Sequence, residues 1–387
     1  MSVFITGGTG YLGSYVLDTM LPDSSGSDAA LISDDDKLFV LTRSTGDEAV
    51  AKLWKALQLH MEADRFYTLL DRIQFVEGNL HADGLGLADK DRAQLLEECD
   101  SILHIAASLN RKSSKACFNA NLRGTLSVIG LAREIADKQG GLRRFTDVST
   151  TAVAGKRENQ TVGEDEAIDW ARSDYDPYAR TKKFAEHMVH TLLPDLPTVV
   201  LRPSTVMGDT RHPRTTQFDM IRIVCWMLDA PAVPCDPNTR LDFVPASFVG
   251  PAIAKLHMKE TLKWDAYHLS AGDGACRIAE VKDAFTQRGV KTPVLAPQLY
   301  STFDRISGAL ANGPKNQVSL VASLIKVFLP YFTNDVVFDN SRVVEELGER
   351  PARYTDYCVD LYEWAKSVRF QYPHAPLPSR AVPEAAE

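Results

Sequence analysis

Residues Thr6-Gly7-Gly8-Thr9-Gly10-Tyr11-Leu12-Gly13 follow directly on the apolar run Val3-Phe4-Ile5 and lead into Tyr15-Val16-Leu17. An apolar strand that turns through glycines three residues apart (Gly7, Gly10, Gly13) and continues as a helix reads as the entrance of a dinucleotide-binding βαβ unit. Gly7 permits the tight turn, Gly10 removes the side chain that would block a pyrophosphate, and Gly13 lets the helix press on the strand. The helix N-terminus then offers unpaired N–H groups and partial positive charge to the phosphates. Thr6, Thr9, Tyr11 and Leu12 complete the loop and are expected beside the nucleotide.

The same strand–helix alternation continues, which implies an α/β fold with a Rossmann-type, doubly wound parallel sheet over residues 1–208. Strands are expected at Val3–Ile5, Leu38–Thr42, Ile73–Glu77, Ser101–Ile105, Arg144–Val148 and Thr198–Arg202. Helices are expected at Tyr11–Met20, Glu48–Leu57, Asp91–Glu98, Ala116–Lys138 and Tyr178–Leu192. After Gly208 prolines cluster from Pro213 to Pro251, and Val281–Gln287, Val318–Leu329 and Tyr357–Ser367 have a helical pattern. This reads as a smaller, mostly helical substrate cap over 209–371, with strand elements near 241–270 rejoining the sheet. Leu21–Lys37, rich in Ser, Asp and Gly, reads as a mobile solvated insert, and the proline-rich residues 372–387 as a flexible tail.

Composition narrows the function classes. A formal charge of −8 argues against a general nucleic-acid binder. The 6 cysteines show no CxxC pair and no metal-like spacing, so reduced, buried thiols and no metal site are expected. No secretory leader is expected, and the longest apolar stretch, Val318 to Phe332, is interrupted by Lys326 and Pro330. The expected location is the cytoplasm, with no membrane span.

The second strand ends at Leu41-Thr42-Arg43-Ser44. A carboxylate there would suit the ribose hydroxyls of NAD, whereas the Arg43 fork suits a 2′-phosphate, with Lys52 adding charge. NADPH is therefore the expected cofactor, with NADH as the other donor. Asn79 and Leu80, after the third strand, are placed against the adenine. Ala106, Ala107 and Ser108, after the fourth, leave room for the nicotinamide half.

Tyr178 and Lys182 are four apart and share a helix face, with Thr150 upstream at the end of the fifth strand. A free tyrosine titrates near 10, so a nearby ammonium is needed to make its phenol a useful proton donor. Thr150 would hydrogen-bond the substrate oxygen where charge grows, a role open equally to Ser149 or Thr151. The set suits hydride transfer to a carbonyl.

Together these motifs, with Asn121-Leu122-Arg123-Gly124-Thr125 and Arg202-Pro203-Ser204-Thr205-Val206-Met207-Gly208, resemble the extended short-chain dehydrogenase/reductase superfamily. Within it the chain is most similar to the fatty acyl-CoA reductases and terminal thioester reductase domains, through His104–Asn110, Val148–Val153, Leu241–Pro245 and the long insert before the second strand. The resemblance implies NADPH-dependent reduction of an acyl thioester to an aldehyde or alcohol in secondary metabolism. It implies catalytic roles for Thr150, Tyr178 and Lys182, Lys182 also contacting the cofactor, and cofactor contacts at Asn121, Pro203 and Val206. No adenylation or carrier domain is expected ahead of the first strand, so a CoA- or carrier-bound substrate is expected in trans. Arg111, Lys112 and Lys115 form a candidate docking cluster, but their spacing reads rather as a solvated helix face. Three other readings stay open: reduction of a ketone, epoxide or aromatic metabolite; an epimerase- or dehydratase-type reaction on a nucleotide sugar, with Arg211, Arg214 and Arg240 on the diphosphate; and a non-catalytic nucleotide sensor. The apolar stretch Tyr300 to Asn334 is expected as cap core, lining a tunnel or packing between subunits.

Overall fold

The computed structural model describes residues 2–21, 31–33, 35–314 and 316–380. Seven strands form one sheet: β1 (Ser2–Thr6), β2 (Lys37–Thr42), β3 (Ile73–Glu77), β4 (Ser101–His104), β5 (Arg144–Val148), β6 (Thr198–Pro203) and β7 (Ala266–Leu269). Their order is β3-β2-β1-β4-β5-β6-β7, and every pairing is parallel. Near-continuous apolar runs such as Leu38-Phe39-Val40-Leu41 fit strands covered on both faces. The order reverses between β1 and β4, where Thr6 stands level with His104, and a crevice opens beyond their carboxyl ends.

One face is covered by α1 (Tyr11–Met20), α2 (Gly46–Leu57) and α3 (Ala63–Leu70), the other by α4 (Asp89–Glu98), α5 (Gly124–Gln139) and α6 (Pro177–Leu192). The expected single helix over 116–138 is broken. A short turn at Ser114–Cys117 runs through a π-helical stretch, Phe118–Arg123, before α5 begins. Seventh strand β7 falls within the segment expected to rejoin the sheet.

Beyond Gly208 come α7 (Asp219–Asp229), α8 (Ala246–Met258), α9 (Ile278–Gln287), α10 (Tyr300–Ala311), α11 (Gln317–Phe328), α12 (Ser341–Leu347) and α13 (Cys358–Ser367). Helix α8 returns to the sheet and packs on α1 so closely that a Cβ on Gly250 would stand 2.2 Å from the Tyr15 Cβ. The cap core joins Met207 to Phe243, Cys276 to Phe285, Ile325 to Phe332 and Tyr354 to Ala365. Two short parallel pairs stitch cap to sheet: Phe243–Val244 on Thr205–Val206, and Val336–Phe338 on Gln160–Val162.

The tail expected to be flexible from residue 372 instead lies along α2 and α3 as far as residue 380. The Trp54 indole donates to the Pro376 carbonyl at 3.0 Å, the Tyr67 hydroxyl to that of Pro378, and the Tyr372 hydroxyl to that of Gln58 at 3.1 Å. Residues 381–387, and residues 22–30 and 34 of the insert read as mobile, lie outside the described residues. All 6 cysteines are buried free thiols. Among the described residues no helix is long and apolar enough to cross a membrane, and no cluster of side chains could hold a metal ion.

Candidate active site

A cleft of about 910 Å³ runs from the glycine turn to the cap. Its nucleotide half is built on backbone shape. Gly7 holds φ +79°, and a Cβ on it would lie 2.7 Å from the Ala106 nitrogen. A Cβ on Gly13 would lie 2.1 Å from the Gly7 carbonyl oxygen. Both positions therefore admit only glycine. Helix α1 starts at the cleft with no side-chain cap and no acidic residue in its first turn, which leaves its N–H groups for an anion.

Thr9, Gly10, Tyr11 and Leu12 line the same wall, as do Arg43, Lys52, Asn79, Leu80, Ala106, Ala107, Ser108, Pro203 and Val206. Arg43 and Lys52 make no ion pair among the described residues, although Asp47 and Glu48 follow closely. The cradle thus fits a dinucleotide.

Two residues expected on the cofactor sit behind the wall instead. Thr6 Oγ1 bonds His104 Nδ1 at 2.6 Å and accepts from the Ala106 nitrogen at 3.2 Å. Asn121, fully buried in the π-helical stretch, accepts from the Ser108 nitrogen at 2.6 Å and donates to Thr181 Oγ1 at 3.1 Å. Both brace the loop after β4 rather than face the cleft.

At the chemical end, β5 delivers Thr150 and the first turn of α6 delivers Tyr178, both lining the cleft. The Thr150 hydroxyl and the Tyr178 phenol lie together at this end of the cleft. Ser149 and Thr151 line the cleft as well, but the Ser149 hydroxyl donates to Glu186 at 2.9 Å. Burial raises the Tyr178 phenol above its ordinary range, and the Arg111 guanidinium and the neighbouring Thr150 hydroxyl oppose that rise.

Lys182 does not line the cleft. Its ammonium, 1% exposed, lies 3.3 Å from Asp147 Oδ1 behind the floor. Arg111 does reach Tyr178, its guanidinium carbon 4.7 Å from the ring centroid. This corrects the expectation of a solvated cluster: Lys112 and Lys115 are exposed, but Arg111 is largely buried and paired with Asp176 at 2.7 Å. Only the Asp-Pro start of α6 hinted at this arrangement, through the cap that Asp176 provides to the Ala179 nitrogen at 2.8 Å.

Phe328, Tyr331 and Asn334 bring the end of the apolar stretch to the cleft, facing Phe218 and Met220 of the cap. The arginines named for a diphosphate stay away from the lining; Arg240 is held by Asp335 at 2.9 Å.

The male sterility protein family model matches residues 5–253. The chain belongs to this family. Relatives include a component of the linear gramicidin synthase of Brevibacillus parabrevis, 29% identical over 272 residues, 69% of the chain but 5% of that relative. The fatty acyl-CoA reductase wat of Drosophila melanogaster is 23% identical over 259 residues, 58% of the chain and 47% of the relative. The chain thus spans about half or less of the length of the relatives it matches. Among solved structures, the terminal R domain from the myxalamid PKS-NRPS pathway superposes with a TM-score of 0.75 at 24% identity, over 95% of this chain and 91% of that one. The solved neighbour shares the fold of this male sterility family member, and the matching family model is one of NAD-binding domains.

Proposed function

We propose that the chain reduces an acyl thioester, presented on CoA or on a carrier protein in trans, with NADPH. The observation that carries the reading is the Thr150–Tyr178 pair at the junction of a dinucleotide cradle and an apolar cap wall. A bound nicotinamide dinucleotide would supply the hydride. Tyr178 gives its proton to the thioester oxygen as the carbonyl carbon is reduced, and Thr150 holds that oxygen. Breaking the carbon–sulfur bond then yields an aldehyde and a free thiol. Phe328 and Tyr331 offer an apolar, aromatic surface to the acyl group. The fatty acyl-CoA reductase and peptide-synthetase relatives support the thioester class, and the latter support a place in secondary metabolism. Arg43 and Lys52 support NADPH over NADH.

NADPH oxidation should be measured with acyl-CoA and acyl-carrier substrates against simple ketones, epoxides and aldehydes. Turnover on thioesters is expected; activity confined to non-thioesters refutes the substrate class. Tyr178→Phe should lower kcat by about 10²–10⁴ with NADPH binding nearly unchanged. Arg43→Ala should weaken NADPH by about tenfold or more and NADH little, as expected for one lost charge-assisted contact; equal losses would remove the 2′-phosphate assignment.

A further inference from the structure

Pro373, Pro376 and Pro378 interrupt the row of N–H groups in the tail, which joins no helix or strand and leaves its carbonyls open to side-chain donors. Those donors come from α2 and α3. The Trp54 indole reaches the Pro376 carbonyl at 3.0 Å, and the Tyr67 hydroxyl reaches that of Pro378. Gln58, one turn beyond Trp54, donates Nε2 to the Ala375 carbonyl at 3.3 Å and accepts the Ala375 N–H on Oε1 at 2.6 Å. The Trp54 and Tyr67 rings both stand edge-on to Phe66, with centroids 5.1 and 5.3 Å away, which fixes the two donors in place. Beyond them the Arg380 guanidinium lies 5.6 Å from the Tyr67 ring centroid and pairs with Asp71.

Pro376 and Leu377 are exposed, so this surface reads backbone rather than burying side chains. What the prolines contribute is a chain that loses little freedom on docking. An aromatic face supplying donors to a stiff, extended chain suits a proline-rich peptide. The root of the same tail grips the cap. Arg222 donates to the Phe370 carbonyl at 2.9 Å and lies 5.8 and 5.7 Å from the Phe218 and Phe370 rings. The Tyr372 ring stands 6.0 Å from that of Trp364, and its hydroxyl donates to the Gln58 carbonyl. Phe218 and Arg222 line the cleft from the cap, and Lys52 of α2 lines it from the nucleotide half.

We propose that the α2–α3 face is a recognition surface for a proline-rich peptide, that residues 373–380 of this chain are its occupant, and that the docked tail straps the cap to the nucleotide half of the cleft. The inference goes beyond the proposed reaction and is independent of the acyl group.

The test follows exchange of the Ala375 amide hydrogen by NMR in the full-length chain, together with the rate at which bound NADP leaves. The parent amide should exchange about tenfold or more slowly than that of a free peptide of residues 373–380, as expected for several concerted hydrogen bonds. Pro373→Ala/Pro376→Ala/Pro378→Ala changes only the tail and should speed this exchange by about two- to fivefold for each proline. Trp54→Phe/Tyr67→Phe keeps both rings, removes both donors and should also free the amide. In both variants NADP should leave about two- to tenfold faster, the weight of one or two hydrogen bonds. The free peptide in excess should shift the Trp54 indole N–H resonance of the proline variant yet leave NADP release fast, because it is not joined to the cap. An unprotected Ala375 amide in the parent, or an indole resonance unmoved by the peptide, overturns the recognition surface. NADP release at the parent rate in both variants, or slowed again by the free peptide, overturns the strap. No acyl substrate enters the experiment, so failure of thioester turnover bears on the proposed reaction alone.

Discussion

Lys182 and Asp147 bury opposite charges 3.3 Å apart, at 1% and 0% exposure, and Asp147 Oδ2 has no hydrogen-bond partner among the described residues. Removing one member strands the other. Lys182→Met is expected to cost about 3–5 kcal/mol of stability by urea unfolding, most of it recovered in Asp147→Asn/Lys182→Met. A single variant as stable as the parent would show that the pair is not buried in solution. At this scale the local motifs were legible: Gly7, Gly13, Thr150 and Tyr178 are where their spacing put them, because strand-to-helix turns and helix faces are short-range geometry. Thr6 and Asn121, expected on the cofactor, instead brace the loop from behind, since spacing says which residues are near and not which face the cleft. Arg111 escaped for another reason. Its carboxylate partner lies 65 residues away, and its other neighbours belong to the cap.

Helix α6 carries Tyr178 and Lys182, and its start is set by Asp176 with Pro177 at the first helical position. Asp176→Ala should lose about 0.5–2 kcal/mol for the cap alone. Asp176→Asn can keep the cap while surrendering the ion pair to Arg111. By urea unfolding the Asn variant is expected to lose less stability than Ala; equal losses would show that the cap hydrogen bond to the Ala179 nitrogen contributes nothing. Elements with strong periodicity and clean boundaries, such as α1, β2 and β3, were readable within a residue or two. Helices α7 and α8 were hidden among prolines: Pro251 lies inside α8 and is tolerated where that helix packs on α1. The π-helical stretch at Phe118–Arg123 has no sequence pattern distinct from an ordinary helix, yet it supplies the Asn121 brace.

Across the whole molecule, a buried polar seam joins sheet to cap. Glu164 accepts from the His268 nitrogen on β7 at 3.3 Å, and burial pushes its carboxyl up to about 7. A carboxyl raised on folding stabilises fully below its unfolded value, and that contribution is lost as pH rises through the folded value. Relative to Glu164→Gln, the parent chain should therefore lose stability between about pH 5 and about pH 8; urea midpoints that stay parallel over that range would show that Glu164 is not so shifted. Global architecture was legible from the alternation of strands and helices, including the return near 241–270. The docking of residues 372–380 on α2 and α3 was not, because it depends on Trp54 and Tyr67 finding backbone carbonyls more than three hundred residues away.

The cap core is assembled from four separated stretches, with the return to the sheet through α8 and β7 lying between the first two. No single cassette of this chain encodes the cap core. A chimaera that spliced in only the final portion of a relative would face Phe218 and Met220 with unfamiliar partners across the seam. Altering what the cleft accepts is thus a matter of coordinated edits on both sides of β7, and single-segment grafts should yield insoluble or frustrated hybrids before they yield new selectivity.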